Sequence, residues 1–345
     1  MFDGLFAAPA VVTATDERAW LSAMLAVEAG LARACAEAGL IPPAAAEAIG
    51  AACRPDLVPA DTLWSQAVRH ATPVVPLVAA LREAVPAEHR PYVHYGATSQ
   101  DILDTAMMLI AARAVAAIVA DLVAAVDRLD ALTAEYGDVP QLGRTLMRPA
   151  VPTTFGAVAG SWRSSLAAAL HTLRRWQPAL QLGGPVGDRA SLHGQGDRVA
   201  ATLARECGLA DVPPWHTDRT RVVELGSALG TVAGALAKLA GDVILLSQAE
   251  IGELDEGSAG GSSAMPGKRN PARAVLVVAC AHRVPALVAT LFAGMPQELQ
   301  RAAGRWQAEW PTVTDLLRLA SGAAGHARAM VADLTVDVER MRRHA

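Results

Sequence analysis

Aromatic side chains make up only 4% of the 345 residues, so the core has to be packed from alanine and aliphatic side chains. Cysteine is equally sparse. Cys35, Cys53, Cys207 and Cys280 lie far apart without a C-x-x-C pair, which argues against a zinc ribbon or a disulfide scaffold and for buried free thiols in a reducing cytoplasm. There is no excess of positive charge: a net charge of −4 gives no general electrostatic reason to bind nucleic acid, so any anion site must be local. The first residues show no basic stretch followed by a leader-like apolar core. Long apolar runs are present, but Arg113, Asp121, Lys238 and Asp242 interrupt the best candidates for membrane spans. The expectation is a soluble cytoplasmic protein with no membrane partner. What the chain has in quantity is hydrophobic residues, 52%, against 19% charged, which excludes wholesale disorder.

Between Asp101 and Tyr136 there is neither proline nor glycine. Met108, Ala112, Val115, Val119, Leu122, Val126 and Leu129 follow an alternating four-three spacing, as do Leu225, Leu229, Val232, Leu236, Leu239, Val243 and Leu246. That spacing lays one apolar seam along a long helix, and such helices reach on the order of 45–55 Å at ~1.5 Å per residue. Thr153 to Gln177, Pro271 to Met295 and Gln297 to about Leu334 read as further helices, with Pro285 and Pro311 expected to kink or break the last two. Gly226, Gly230, Gly234 and Gly241 cost helix propensity, and their expected use is close helix approach. The fold expected is all-α: a long five-helix bundle over 96–335, a smaller N-terminal helical domain over 1–95 and a short tail over 336–345. No strand alternation stands out.

Four polar segments interrupt the helices: "RHATP" with Arg69 and His70, "HYGATSQD" from His94, "GRTLMRPAVPTT" from Gly143, and "GGSSAMPGKRNPAR" from Gly260. Each has a purely structural reading. Thr98 and Asp101 suit a helix cap, Asn270-Pro271 an N-cap followed by a first helical residue, Arg144 and Arg148 solvated loop charges, and His70 or His94 hydrogen-bonded structural histidines. Capping does not account for Gly260 to Lys268. Glycines there allow backbone amides to close over an anion, Lys268 adds positive charge, and a helix starting at Pro271 would aim its N-terminus at the same place. Such surroundings bind a carboxylate and stabilise the enediolate formed when a proton moves at the adjacent carbon. A loop serine could carry that proton only under strong local electrostatics, because serine is a poor base in water.

"GSSAMPGKRNP" (Gly261 to Pro271) resembles the signature loop of the aspartase/fumarase superfamily, and "HYGATSQDILDTA" and "GRTLMRPAVPTTFG" resemble two further blocks of it, in the same order. Within the superfamily the second block and "LQLGGPVG" (Leu180 to Gly187) are most similar to the 3-carboxy-cis,cis-muconate cycloisomerase branch. The resemblance implies a homotetramer whose active sites combine segments of three chains, acting on a small polycarboxylate without metal or cofactor. It implies Ser262 as the catalytic loop serine, and Lys268 and Asn270 as carboxylate binders. Thr98, Ser99 and Thr145 correspond to substrate contacts, with Arg144, Ser263 and Met265 beside them, while His70 and His94 match histidines of the adenylosuccinate-lyase-like branches. Many members also continue beyond the position of Ala345, so the C-terminal domain is expected to be reduced or absent.

One departure is chemically informative. Several lyases of the superfamily carry a histidine after the threonine of the second block, where it protonates the leaving group; here that position is Leu146. An alkoxide or amide anion leaves badly without a proton. In lactonisation the attacking group is the substrate's own carboxylate, already ionised at neutral pH, so one loop acid–base and one anion site suffice. Leu146 therefore favours a cycloisomerase, with nitrite-like leaving groups also compatible. The alternatives are a lyase releasing fumarate from a succinyl compound and a non-catalytic structural relative. Arg148 stands where relatives often carry glutamine, and it fits either an extra carboxylate contact or a surface ion pair.

Overall fold

The computed structural model describes residues 2–58, 60–257 and 260–345. Short helices α1 (Asp3–Phe6) and α2 (Pro9–Ala14) precede α3 (Glu17–Glu37), α4 (Pro43–Ala52), α5 (Ala60–His70) and α6 (Val74–Ala84). The long helices are α7 (Ser99–Tyr136), α8 (Phe155–Arg174), α10 (Thr220–Leu246), α11 (Ala272–Gly294) and α12 (Arg305–Ala332), with α9 (Gly196–Cys207) and α13 (Val338–His344) between and after them. The five-helix bundle expected from the apolar spacing is present, and α3 packs against both α7 and α9.

On α10 the expected seam is the buried seam, from Leu225 through Leu246. On α7 it is rotated. Ala112 and Val119 are half-buried, whereas Ala111, Ala114, Ile118 and Ala125 are fully buried. Small alanines at the centre of the contact let neighbouring helices approach, so residue size points away from the true axis of the seam. Close approach also explains two of the four glycines. A Cβ at Gly226 would stand 2.6 Å from Leu291 Cδ1, and one at Gly230 would stand 3.3 Å from Val288 Cγ2. Gly234 and Gly241 have nothing within 4 Å of the corresponding position, so the expectation fails for them within one chain. Neither Pro285 nor Pro311 breaks its helix, because the extensive α11–α12 contact holds both elements continuous across the missing hydrogen bond.

The expectation of no strands is also corrected. Strand β1 (Pro140–Thr145) pairs antiparallel with β2 (Arg148–Thr154), and β3 (Leu254–Asp255) pairs with β4 (Thr335–Val336). The hairpin hides from pattern analysis for physical reasons. Most of β2 is exposed on both faces, and the register shifts between Leu142 and Arg144, so no two-residue alternation survives. Gly143 is required at that irregularity, since a Cβ there would lie 2.4 Å from the Val151 carbonyl oxygen.

Four helices, α3, α7, α10 and α11, are long and apolar enough to cross a membrane by length and composition alone, even with the charges that interrupt α7 and α10.

Candidate active site

The two ends of the bundle carry different chemistry. At the first end Thr98 is the N-cap of α7, and Asp101 accepts its backbone N–H at 2.9 Å, as a capping residue should. The Asp101 carboxylate does more than cap. It also accepts the N–H groups of Gly183 at 2.7 Å and Gly184 at 2.9 Å, and His216 Nε2 lies 2.7 Å from its Oδ1. Beneath it, Arg219 joins Asp104 at 2.8 Å and Glu309 at 2.6 Å, all three side chains fully or almost fully buried. Burial would raise Glu309, and does so in net, although Arg219 opposes it. This network ties α7, α10 and α12 together under the polar end.

Sequence reasoning missed Arg301. Its Nη1 donates to Thr98 Oγ1 at 2.8 Å, and Nη2 to the Pro185 carbonyl at 3.3 Å, which sets a guanidinium beside the first block. Nothing in "QELQRAAG" marks this arginine out; only the fold brings it to Thr98. Ser99, half-buried, opens α7 next to it. His94 lies just upstream with its Nδ1 2.6 Å from Glu28 Oε1. Burial would lower this histidine, but the Glu28 charge and hydrogen bond outweigh that and raise it above 6.5. His70 is exposed in the last turn of α5.

The second and third blocks sit at the opposite end. Arg144 pairs with the buried Glu253 through Nη2–Oε1 at 2.6 Å and Nη1–Oε2 at 3.2 Å, which commits its guanidinium to holding the hairpin. The hairpin turns at Leu146 and Met147, with φ of 48° and 62° and exposures of 95% and 71%. A tight turn with both central residues at positive φ favours Asn-Gly, so placing two bulky apolar residues there stores strain. Thr145 and Arg148 flank the tip, both exposed, and Arg148 has no ion pair among the described residues, which removes the surface ion-pair reading within one chain.

The third block forms a loop pinned at its base. Gly260 and Asn270 exchange backbone hydrogen bonds at 2.9 and 2.8 Å, and Asn270 Nδ2 donates to the Gly261 carbonyl at 3.0 Å. Ser262 Oγ accepts the N–H groups of Ala264 at 3.3 Å and Met265 at 3.1 Å. Two donors on one hydroxyl oxygen favour a partial negative charge there. Ser263, Met265 and Lys268 are exposed, and Lys268 has no ion pair among the described residues. Arg269 is taken up by Asp255 at 2.9 Å.

The helix behind the loop differs from expectation. The N-cap of α11 is Pro271, one residue later than Asn270. Its first free N–H groups, on Arg273 and Ala274, are already bonded to the buried Glu256 carboxylate at 2.8 and 2.9 Å. The protein's own carboxylate therefore fills that helix start, which takes it out of the anion-binding elements expected from the sequence.

Thr98 and Ser262 cannot meet within one chain. Helix α7 has 38 residues, which at ~1.5 Å each separates its ends by about 55 Å. Its start holds Thr98, His216 and Arg301, while its far end leads into the hairpin that Arg144 fastens to Glu253, at the root of the Ser262 loop.

Comparison with known proteins bears on this arrangement. A family model described as lyase matches residues 6–286. The chain is 42% identical to a Pseudomonas putida protein named 3-carboxy-cis,cis-muconate cycloisomerase, over all of this chain and 84% of that one. It is 41% identical to a Streptomyces davaonensis nitrosuccinate lyase, over 96% of this chain and 74% of that one. Its fold is similar to the crystal structure of the 3-carboxy-cis,cis-muconate lactonizing enzyme from Pseudomonas putida, with a TM-score of 0.94 and 40% identity over 99% of this chain and 78% of that one.

Proposed function

The chain belongs to the lyase family of the aspartase/fumarase superfamily, and from that premise we propose that it is a cycloisomerase interconverting 3-carboxy-cis,cis-muconate and 4-carboxymuconolactone. The carrying observation is a doubly supported Ser262 hydroxyl on one loop with Lys268, which has no ion pair among the described residues, together with a second block whose leaving-group position is Leu146. One substrate carboxylate oxygen forms a bond to an alkene carbon. The alkene electron pair moves toward the other carboxylate as an enediolate, held by Lys268, Asn270 and loop amides. Ser262 gives its proton to the carbon and regains one from solvent, so the reaction takes up a single proton. Arg301 beside Thr98, and Arg148 on the hairpin, supply cations for the remaining carboxylates of a tricarboxylate.

We assign a homotetramer with sites shared between chains, a reading supported by the separation of Thr98 from Ser262 within one chain. In support, the apolar windows of α7, α10 and α11 are only 39%, 44% and 28% buried within one chain. Copies of the same bundle fit these faces better than lipid does, since Arg113 and Lys238 project from them exposed. A cytoplasmic location suits the thiols: burial pushes Cys35 and Cys53 up to about 12, and Cys207 and Cys280 up to about 11, which keeps them protonated and unreactive. The division into a helical domain over 1–95, a bundle over 96–335 and a tail over 336–345 is retained as part of this reading.

The test is loss of the conjugated ultraviolet absorbance of 3-carboxy-cis,cis-muconate with purified protein. Nitrosuccinate is the counter-substrate, chosen because of the 41%-identical lyase. Release of fumarate and nitrite without muconate turnover would replace the cycloisomerase reading with the lyase one.

A further inference from the structure

Helix α3 contributes a carboxylate to the first-block end that its own packing does not require. Glu28 has a side chain with 0% exposure, and its neighbours three, four and seven residues away on α3 are the buried Leu21, Met24, Leu25, Leu31, Ala32 and Cys35. Burying a carboxylate in such surroundings is costly unless it is paired, and the only described partner is His94, Nδ1 to Oε1 at 2.6 Å; Glu28 Oε2 is buried with no hydrogen bond. His94 itself sits in the left-handed region, φ 63°, which is uncommon outside glycine although histidine tolerates it better than most side chains. An ionised carboxylate can only accept, so Nδ1 carries the hydrogen and Nε2 is the titrating atom. No described residue bonds to Nε2, and the ring is 14% exposed.

We propose that Glu28 is a positioning residue that grips His94 through Nδ1, so that Nε2–H is presented to a substrate carboxylate at the first-block end of the site, beside the Arg301 guanidinium. The inference rests on the reading of the substrate as a small polycarboxylate. Three charged groups act on this imidazole from the elements around it: Glu28 of α3 and Asp101 of α7 favour its charged form, and Arg82 of α6 opposes it. The Cys35 and Cys53 thiols lie within reach of the Glu28 charge and stay neutral. The balance favours the imidazolium, so His94 adds a cation where a polycarboxylate docks.

The test is Glu28→Gln in the full chain, which keeps an acceptor for Nδ1–H but removes the charge. The expected result above pH 7 is a KM for 3-carboxy-cis,cis-muconate raised by about tenfold with kcat nearly unchanged, the loss disappearing at lower pH as His94 protonates. His94→Gln should remove this pH dependence of KM, and adding Glu28→Gln to it should cost nothing more. The independent readout is the His94 titration followed by NMR of 13C-labelled imidazole carbons. It should lie above 6.5 in the unsubstituted protein and fall in Glu28→Gln, which removes the largest charge that raises it. An unshifted titration, or equal losses in kcat and KM at every pH, would reduce Glu28 to a packing residue and overturn the proposal. If the unsubstituted protein does not turn over the muconate, the substrate reading fails on its own, while the NMR titration still decides the pairing.

Discussion

Arg144 and Glu253 form a two-point ion pair, 2.6 and 3.2 Å, that fastens the hairpin of the second block to the root of the loop carrying Ser262. Gln141 and His344 complete the shell around the same carboxylate at 2.9 and 2.8 Å. Burial alone would raise Glu253, but the hydrogen bonds from Arg144, His344 and Gln141 lower it below 4.5. A carboxylate lowered by folding stabilises the protein above its unfolded value, and that contribution is lost as pH falls through the folded one. Glu253→Gln should therefore destabilise the protein by about 3 kcal/mol at neutral pH, with the difference shrinking in acid. Denaturant titrations at pH 7 and below pH 4 check both statements.

Ser262→Ala should leave stability almost unchanged, because the loop stands clear of the core and its base is closed by Gly260 and Asn270. Turnover should fall by about 10²–10⁴-fold, the range expected for a proton-transferring group. Steady-state rates together with thermal melting separate the two effects, and a variant with normal kcat would remove Ser262 from the mechanism.

How much of this was legible in the sequence depended on whether a residue's role is local. The α10 seam and the capping pair Thr98–Asp101 follow from spacing and near-neighbour chemistry, and both are present as read. Arg301 at Thr98 spans 203 residues of chain, and no local pattern announces it. Glu256 is similar: it looks like one acidic residue among several until α11 is seen to start on its carboxylate. The hairpin lacked alternation because most of β2 is exposed whichever face its residues point to, while β1 buries only Gln141. The signal that could have found it is the Gly143 irregularity between proline-bounded segments.

Gly226→Ala and Gly234→Ala offer an internal contrast on α10. The first puts a methyl group 2.6 Å from Leu291 Cδ1 and should cost about 1–3 kcal/mol through overpacking. The second meets open space in one chain, and a lone chain would gain up to about 1 kcal/mol of helix propensity. If another copy covers that face, Gly234→Ala should instead weaken the assembly. Light scattering across a dilution series distinguishes the outcomes, and a Gly234→Ala protein that stays assembled with a higher melting temperature would place this face outside the interface.

The strained tip of the hairpin gives the sharpest separation of folding from function. Leu146→Asn with Met147→Gly installs the residues that a turn with two positive φ values prefers, in place of two exposed apolar side chains. Relief of strain at each position should raise stability by about 1 kcal/mol or more in total. Neither original side chain contributes to a core within one chain, so stability alone would favour the replacement. Retaining leucine and methionine at such a cost makes sense if they cover substrate in a site completed by another copy. The doubly substituted protein should therefore melt higher yet show at least about tenfold lower kcat/KM, since water reaches the enediolate once the apolar tip is gone. Equal or better kcat/KM, with the higher melting temperature, would show that the hairpin tip lies outside the working site.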